Sequence, residues 1–131
     1  MIMEMPGELQ RIKILYVEDD FIVRFSIAKF LSRRCKEVIE AKNGLQGLEL
    51  YKQHKPDIVV TDIEMPVMDG LEMIDKILQM NTAQPIIITT GYDDEQHQSE
   101  RVCVNIIKPI DDNELLEAIV KCINDREVKN K

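Results

Sequence analysis

Ile58-Val59-Val60-Thr61-Asp62-Ile63-Glu64-Met65-Pro66-Val67-Met68-Asp69-Gly70 decides the reading of this chain, because an apolar run ends in a carboxylate and passes at once into a turn. A buried strand is a costly place for a charge unless the strand ends there. Open α/β sheets carry their reactive groups at the carboxyl ends of strands, where loops line a crevice. Asp62 has that position, beside a turn built from Pro66 and Gly70. Two other apolar runs end in matching charge. Residues 12–17, interrupted by Lys13, lead into Glu18-Asp19-Asp20, and residues 104–107 lead into Lys108-Pro109. Acids and one lysine are expected to meet at one sheet edge.

Apolar runs at 12–17, 38–41, 58–61, 86–89 and 104–107 alternate with segments of helical periodicity. Val23, Ile27, Phe30 and Leu31 recur at helical spacing after the first run. After the last, Leu116, Val120 and Ile123 share one face with Leu115 and Ile119 beside them, which predicts an amphipathic terminal helix. Asn43 with Gln46, Asp69 with Glu72, and Asp111 with Glu114 have the spacing of helix-opening capping boxes. Asp20, Asp69 and Asp111 therefore read as caps or turn residues. Alternating strands and helices, with Ile86-Ile87-Ile88 suited to burial on both sides, predict a parallel sheet covered on both faces. The expectation is one domain over residues 1–131, with a core at about 11–124 and short polar ends.

Its 131 residues, 44% apolar and 31% charged, match a soluble globular domain large enough for an ordinary core. Acids outnumber bases by 24 to 17, which argues against direct nucleic-acid binding. No stretch has the length of a membrane span, and residues 1–7 lack the basic flank and apolar core of a signal peptide. A cytoplasmic protein with no membrane insertion is expected. Cys35, Cys103 and Cys122 are odd in number and widely spaced, so they are expected to be reduced, mostly structural thiols. His54 and His97 stand alone among charged residues and are left outside the site.

Glu18, Asp19, Asp62 and Lys108 would meet if strands one, three and five lay side by side, with strand four ending in Thr89-Thr90-Gly91. Crowded carboxylates repel, and a hard divalent cation relieves them; octahedral Mg²⁺, which keeps some of its waters, suits a small acidic cluster with an open side. A phosphoryl group could then approach Asp62, a competent carboxylate nucleophile. Lys108 could hold one phosphoryl oxygen and the Thr90 hydroxyl another.

These residues resemble the receiver domain of bacterial response regulators over about residues 13–123. The resemblance rests on Ile14-Leu15-Tyr16-Val17-Glu18-Asp19-Asp20, on residues 56–70, on residues 85–91 and on Lys108-Pro109, in that order. It implies a flavodoxin-like, doubly wound α/β fold: a five-stranded parallel sheet of order 2-1-3-4-5 with five helices. Asp62 would be the phosphoacceptor. Glu18, Asp19 and Asp62 would bind Mg²⁺ (or Mn²⁺), Glu18 through water, with Glu64 contributing its backbone carbonyl. Thr90 would sense the phosphoryl group, Gly91 would keep access open, and Lys108 would pair with it ahead of a cis peptide bond to Pro109.

Two departures stand out. Asn105 occupies the position where the family places an aromatic residue that moves with the threonine, and the stretch from Thr90 to Lys108 is several residues shorter than usual, so the fourth helix is expected to be short, shifted or poorly ordered.

The functional expectation is a phosphorylation-dependent receiver of a two-component system, fed by a sensor histidine kinase or a histidine phosphotransfer protein. It would switch binding of a downstream protein, or a self-contact, and would not turn over an external substrate. It would act alone by docking or as part of a longer regulator or hybrid kinase. One alternative is a haloacid dehalogenase-type phosphatase, whose pattern needs a second Asp two residues after the first, where this chain has Glu64. The other is a receiver-fold interaction module that is never phosphorylated.

Overall fold

Each of the five apolar runs becomes a strand in the computed structural model, which describes residues 9–92 and 99–129. The strands are β1 (Lys13–Val17), β2 (Glu37–Ala41), β3 (Ile58–Asp62), β4 (Ile86–Thr90) and β5 (Val104–Ile107). Four helices are present among the described residues: α1 (Phe21–Ser32), α2 (Gly44–His54), α3 (Gly70–Met80) and α4 (Asp112–Lys129). All strands pair in parallel, in the order β2-β1-β3-β4-β5.

Every residue of β3 and β4 is buried, as strands covered on both faces require. Side chains alternate between the faces. Ile14, Tyr16, Ile58, Val60 and Ile87 meet Ile27 and Leu31 of α1 and Leu115 and Ile119 of α4. Leu15, Val17, Val59, Ile86 and Ile88 meet Leu48 and Tyr51 of α2 and Met73, Ile74 and Ile77 of α3. The sheet thus carries two separate cores. Asp20, Asn43, Asp69 and Asp111 all cap as their spacing predicts, accepting from the backbone N–H groups of Val23, Gln46, Glu72 and Glu114.

Three details differ from the sequence reading. The strand order is the one the resemblance implied, but strands one, three and five do not lie side by side: β3 uses both edges on β1 and β4, so β5 pairs with the outer edge of β4. In α4 the buried seam runs through Leu115, Ile119, Cys122 and Ile123, while Leu116 and Val120 are only partly buried. Cys122 extends the apolar stripe, and the helix rotates to bury it. The expected short fourth helix falls between β4 and β5, where residues 93–98, with His97, lie outside the described residues and residues 100–103 form turns and bends.

The cysteines are the largest correction. Cys103 and Cys122 form a disulfide, and only Cys35 is a free thiol. A sequence separation of 19 hides the fact that the start of β5 and the third turn of α4 bring their Cα atoms within 6.1 Å. The Lys108–Pro109 bond is cis. Among the described residues, no helix is long and apolar enough to cross a membrane.

The loop after β3 is folded back on the strand it leaves. Gly70 N–H donates to the Ile63 carbonyl at 2.7 Å, and Gly44 N–H donates to the Met68 carbonyl at 2.9 Å. A Cβ on Gly70 would overlap the Asp62 carbonyl oxygen and sit 3.0 Å from Ile63 Cα. Gly70→Ala should therefore displace backbone and cost roughly 1–3 kcal/mol, the usual range for overpacking, as a lower urea midpoint. An unchanged midpoint would show that the loop relaxes freely.

Candidate functional site at the carboxyl edge of the sheet

Parallel register brings the strand ends level. Val17 pairs with Thr61, Asp62 with Thr89, and Thr90 with Ile107. Glu18, Asp62, Thr90 and Lys108 therefore emerge along one edge, each at or one residue beyond the end of a different strand.

Glu18 is fully buried. Its backbone N–H donates to Ala41 O at 3.0 Å, and its carbonyl accepts from Arg24 Nη1 at 2.7 Å. Its Oε2 accepts from Asp20 N at 3.0 Å. Asp62 is 8% exposed and shows one open side. Its Oδ1 accepts from the Ile63 N–H at 2.7 Å. Lys108 Nζ joins the two acids, donating to Glu18 Oε1 at 2.8 Å and to Asp62 Oδ2 at 3.2 Å. Its side chain spans the width of β4 to do so. Asp19 is exposed, and one carboxylate oxygen from each of Glu18, Asp19 and Asp62 lies within 4.8 Å of the others.

Burial, the largest effect, raises the Glu18 and Asp62 carboxyls above the usual range, and the bonds from Lys108 only partly offset it. For Lys108, burial pulls downward most strongly, but hydrogen bonding and charge from Glu18 and Asp62 together outweigh it and hold the ammonium above its ordinary value. The site is short of positive charge: three acids face one lysine.

Thr90 is buried, and its Oγ1 accepts from the Tyr92 N–H at 3.2 Å. Its carbonyl accepts from the Lys108 N–H at 2.6 Å. Gly91 is exposed, and a Cβ there would meet nothing within 4 Å. Glu64 is exposed on the loop two residues past Asp62. Glu18, Asp19, Asp62 and Lys108 thus come together, with Thr90 at the end of the intervening strand and Glu64 and Gly91 on the bordering loops.

Two features escaped the sequence reading. Val67 has φ of 72°, at the centre of a tight turn in which Met68 N–H donates to the Pro66 carbonyl at 2.8 Å. A β-branched residue there is strained, and Val67 is 76% exposed. The Pro-x-Met-Asp-Gly pattern marked a turn but not its sign of φ. The second feature is the role of Asn105, whose amide mimics a backbone unit: Nδ2 donates to Ser99 O at 3.0 Å, and Oδ1 accepts from Ser99 N–H at 3.1 Å. It pins the end of the β4–β5 connection where an aromatic ring was expected.

The chain belongs to the response regulator receiver domain family, whose model matches residues 14–120. It is 35% identical over 117 residues to the chemotaxis protein CheY of Bacillus subtilis, covering 86% of this chain and 98% of that protein. It is 27% identical to sporulation initiation phosphotransferase F of the same organism, covering 83% and 91% of the two chains. A CheY-like receiver domain protein from Methanospirillum hungatei superposes with a TM-score of 0.84 at 26% identity, covering 91% and 98%. The chain is thus a phosphorylation-dependent receiver of the two-component type, and the phosphatase alternative is not favoured.

Two predictions come from this geometry. Because burial raises the Asp62 carboxyl, the folded state penalises its ionised form above the folded pKa, and the penalty fades as pH falls through that value toward the unfolded pKa of about 4. Without divalent cations, Asp62→Asn should raise the melting temperature by a few degrees at neutral pH, with the gain vanishing near pH 4. A drop at neutral pH would instead mark Asp62 as a structural acid. Asn105→Ala should cost roughly 1–2 kcal/mol for two lost hydrogen bonds, with faster amide exchange at Ser99. Unchanged exchange there would remove the pinning role.

Proposed function

We propose that Asp62 accepts a phosphoryl group from a phosphohistidine on a sensor kinase or phosphotransfer protein, in a Mg²⁺-dependent reaction. The observation that carries this reading is the Lys108 ammonium bridging Glu18 and Asp62, with Asp19 close enough to complete a three-carboxylate cluster. The donor set fits a hard cation: all ligands are oxygens, two acids are buried with raised pKa values, and one lysine leaves them under-compensated. Glu18, Asp19, Asp62 and the Glu64 carbonyl would hold Mg²⁺, with Mn²⁺ as a substitute. When bound, the cation neutralises charge on the phosphoryl oxygens.

The chain's own residues do the rest. An Asp62 carboxylate oxygen attacks phosphorus as the donor's P–N bond breaks, giving an acyl phosphate and a neutral histidine once the ring takes up a proton. The Ile63 N–H holds the other carboxylate oxygen and fixes the direction of attack. Lys108 exchanges its Asp62 contact for a phosphoryl oxygen. The Thr90 hydroxyl, which now accepts from Tyr92 N–H, turns to donate to another oxygen, a charge-assisted bond stronger than the one it leaves. The open space beside Gly91 admits the phosphoryl group.

The donor has a surface to meet. Phe21, Ile22 and Phe25 on the first turns of α1 are 66%, 75% and 58% exposed, immediately after the acidic run. Beside them, Ile22, Val23, Ile27, Pro109 and Ile110 line a cleft of about 290 Å³ that Lys108 also borders. An apolar patch this close to the acceptor fits a partner that brings its histidine to Asp62. In this reading the domain is a single receiver unit with its core at residues 11–124, works in the cytoplasm, and has no external substrate.

Intact mass after treatment with acetyl phosphate and Mg²⁺ tests the chemistry. One phosphoryl adduct is expected on the parent and none on Asp62→Asn. Asp19→Asn should slow its formation at least about tenfold, because charge stabilisation by a metal is worth several kcal/mol. An Asp19→Asn variant as fast as the parent would refute the metal assignment, and steady phosphate release from diverse esters would favour a phosphatase.

A further inference from the structure

We propose that the Cys103–Cys122 disulfide is a site of reversible exchange with a dithiol reductant, and that its state sets how firmly β5 and Lys108 are held. The bond closes a loop across 19 residues of sequence. Inside that loop lie all of β5, then Lys108 and Pro109, then the first half of α4. The consequence for Lys108 rests on the receiver reading above; the exchange chemistry does not.

β5 is the element with the weakest hold on the sheet. It has four residues, only Ile106 is buried, and it pairs with β4 alone. Beyond that ladder, single hydrogen bonds hold its ends: Cys103 N–H to Ile86 O at 2.8 Å, and Lys108 N–H to Thr90 O at 2.6 Å. Besides the chain running on through residues 108–111, the disulfide ties this strand region covalently to the helix above it. The two apolar cores, by contrast, draw most of their residues from β1, β3, β4 and the four helices; β5 adds only Ile106, and Cys122 fills its core position with or without the bond. Reduced thiols would still pack there as small apolar groups. Cleavage should therefore loosen β5 without unfolding the domain.

The bond is also reachable. Cys103 is half-buried and Cys122 is 2% exposed, and both line an open cleft of about 330 Å³ with Arg101, Val102, Lys121 and Arg126. Thr82, Gln84 and Pro85, which precede β4, form its other wall, so the cleft opens at the amino end of the sheet. A reductant can enter without crossing the phosphoryl site. An incoming thiolate meets Cys103 Sγ first, forms a mixed disulfide and expels Cys122 as a thiolate, which takes a proton. The reductant's second thiolate then attacks its own sulfur in the mixed bond and releases Cys103, which is protonated in turn. Two electrons and two protons pass to the protein, and the reductant leaves as its disulfide.

The test uses the full chain, native, with dithiothreitol as the dithiol. After quenching, unfolding and labelling with N-ethylmaleimide, the oxidised chain should take one label, at Cys35, and the treated chain three. Amide exchange at Val104–Ile107 should become about tenfold faster or more on reduction, as for loss of a local restraint. β1 and β3 should not change, and reoxidation should restore protection. The Cys103→Ser/Cys122→Ser double variant should exchange quickly with or without dithiothreitol. Beryllofluoride affinity in Mg²⁺ should fall several-fold in the reduced form. A bond that resists dithiothreitol until the chain is unfolded, an air-oxidised chain that takes three labels, or identical β5 exchange in both states would overturn the proposal. Equal beryllofluoride affinity in both forms would overturn the link to Lys108. If neither form binds beryllofluoride, the receiver reading fails, and the exchange site is still decided by labels and amides.

Discussion

The Lys108 ammonium sits between the buried Glu18 carboxylate and Asp62, and the rest of the carboxyl edge is arranged around that bridge. It joins the ends of three strands, β1, β3 and β5, over the top of a fourth, so the order of the sheet dictates that the cation be a long side chain. A buried glutamate without a partner would be protonated or would destabilise the fold. One lysine is enough to keep the pair in place, and its bonds only partly offset the burial that raises both carboxyls. Three clustered carboxylates facing one lysine are the physical basis for reading the edge as a cation and phosphoryl site.

Around the bridge, the backbone is held by close approach rather than by bulk. Gly70 lies against the Asp62 carbonyl, and Gly44 binds the far side of the same loop. The strained φ of Val67 is kept in a loop pinned at both ends, and strain of this kind gathers at functional sites when the surrounding structure over-determines it. On the opposite side, the β4–β5 connection is held by polar and covalent ties: Asn105 to Ser99, and Cys103 to Cys122. One flank of Asp62 is thus rigid through packing. The other is rigid only as long as those few ties last, which suits it to be the part that changes state.

Strand and helix placement was legible because local signals agreed: apolar runs of strand length, helical spacing between them, and four polar caps at the predicted positions. The carboxyl-edge residues were legible for the same reason, since a charge that ends an apolar run can only stand at the end of its strand. Glu18, Asp19 and Asp20 could each have capped the first helix from their sequence alone; in the structure Asp20 does so, as Asp69 and Asp111 do for theirs.

By itself, then, the sequence determined the secondary structure, the parallel α/β class, and which acids, hydroxyl and lysine lie at the strand ends, because each depends on neighbours within a few residues. The strand order was implied by the resemblance, but only the tertiary structure decided that Lys108 reaches both Glu18 and Asp62 and that Leu115 and Ile119 rather than Leu116 and Val120 face the core. It also decided that Cys103 and Cys122 are joined and that Asn105 clamps Ser99. These are contacts whose energy depends on which surfaces meet in space, and spacing along the chain carries no information about that until the sheet has closed.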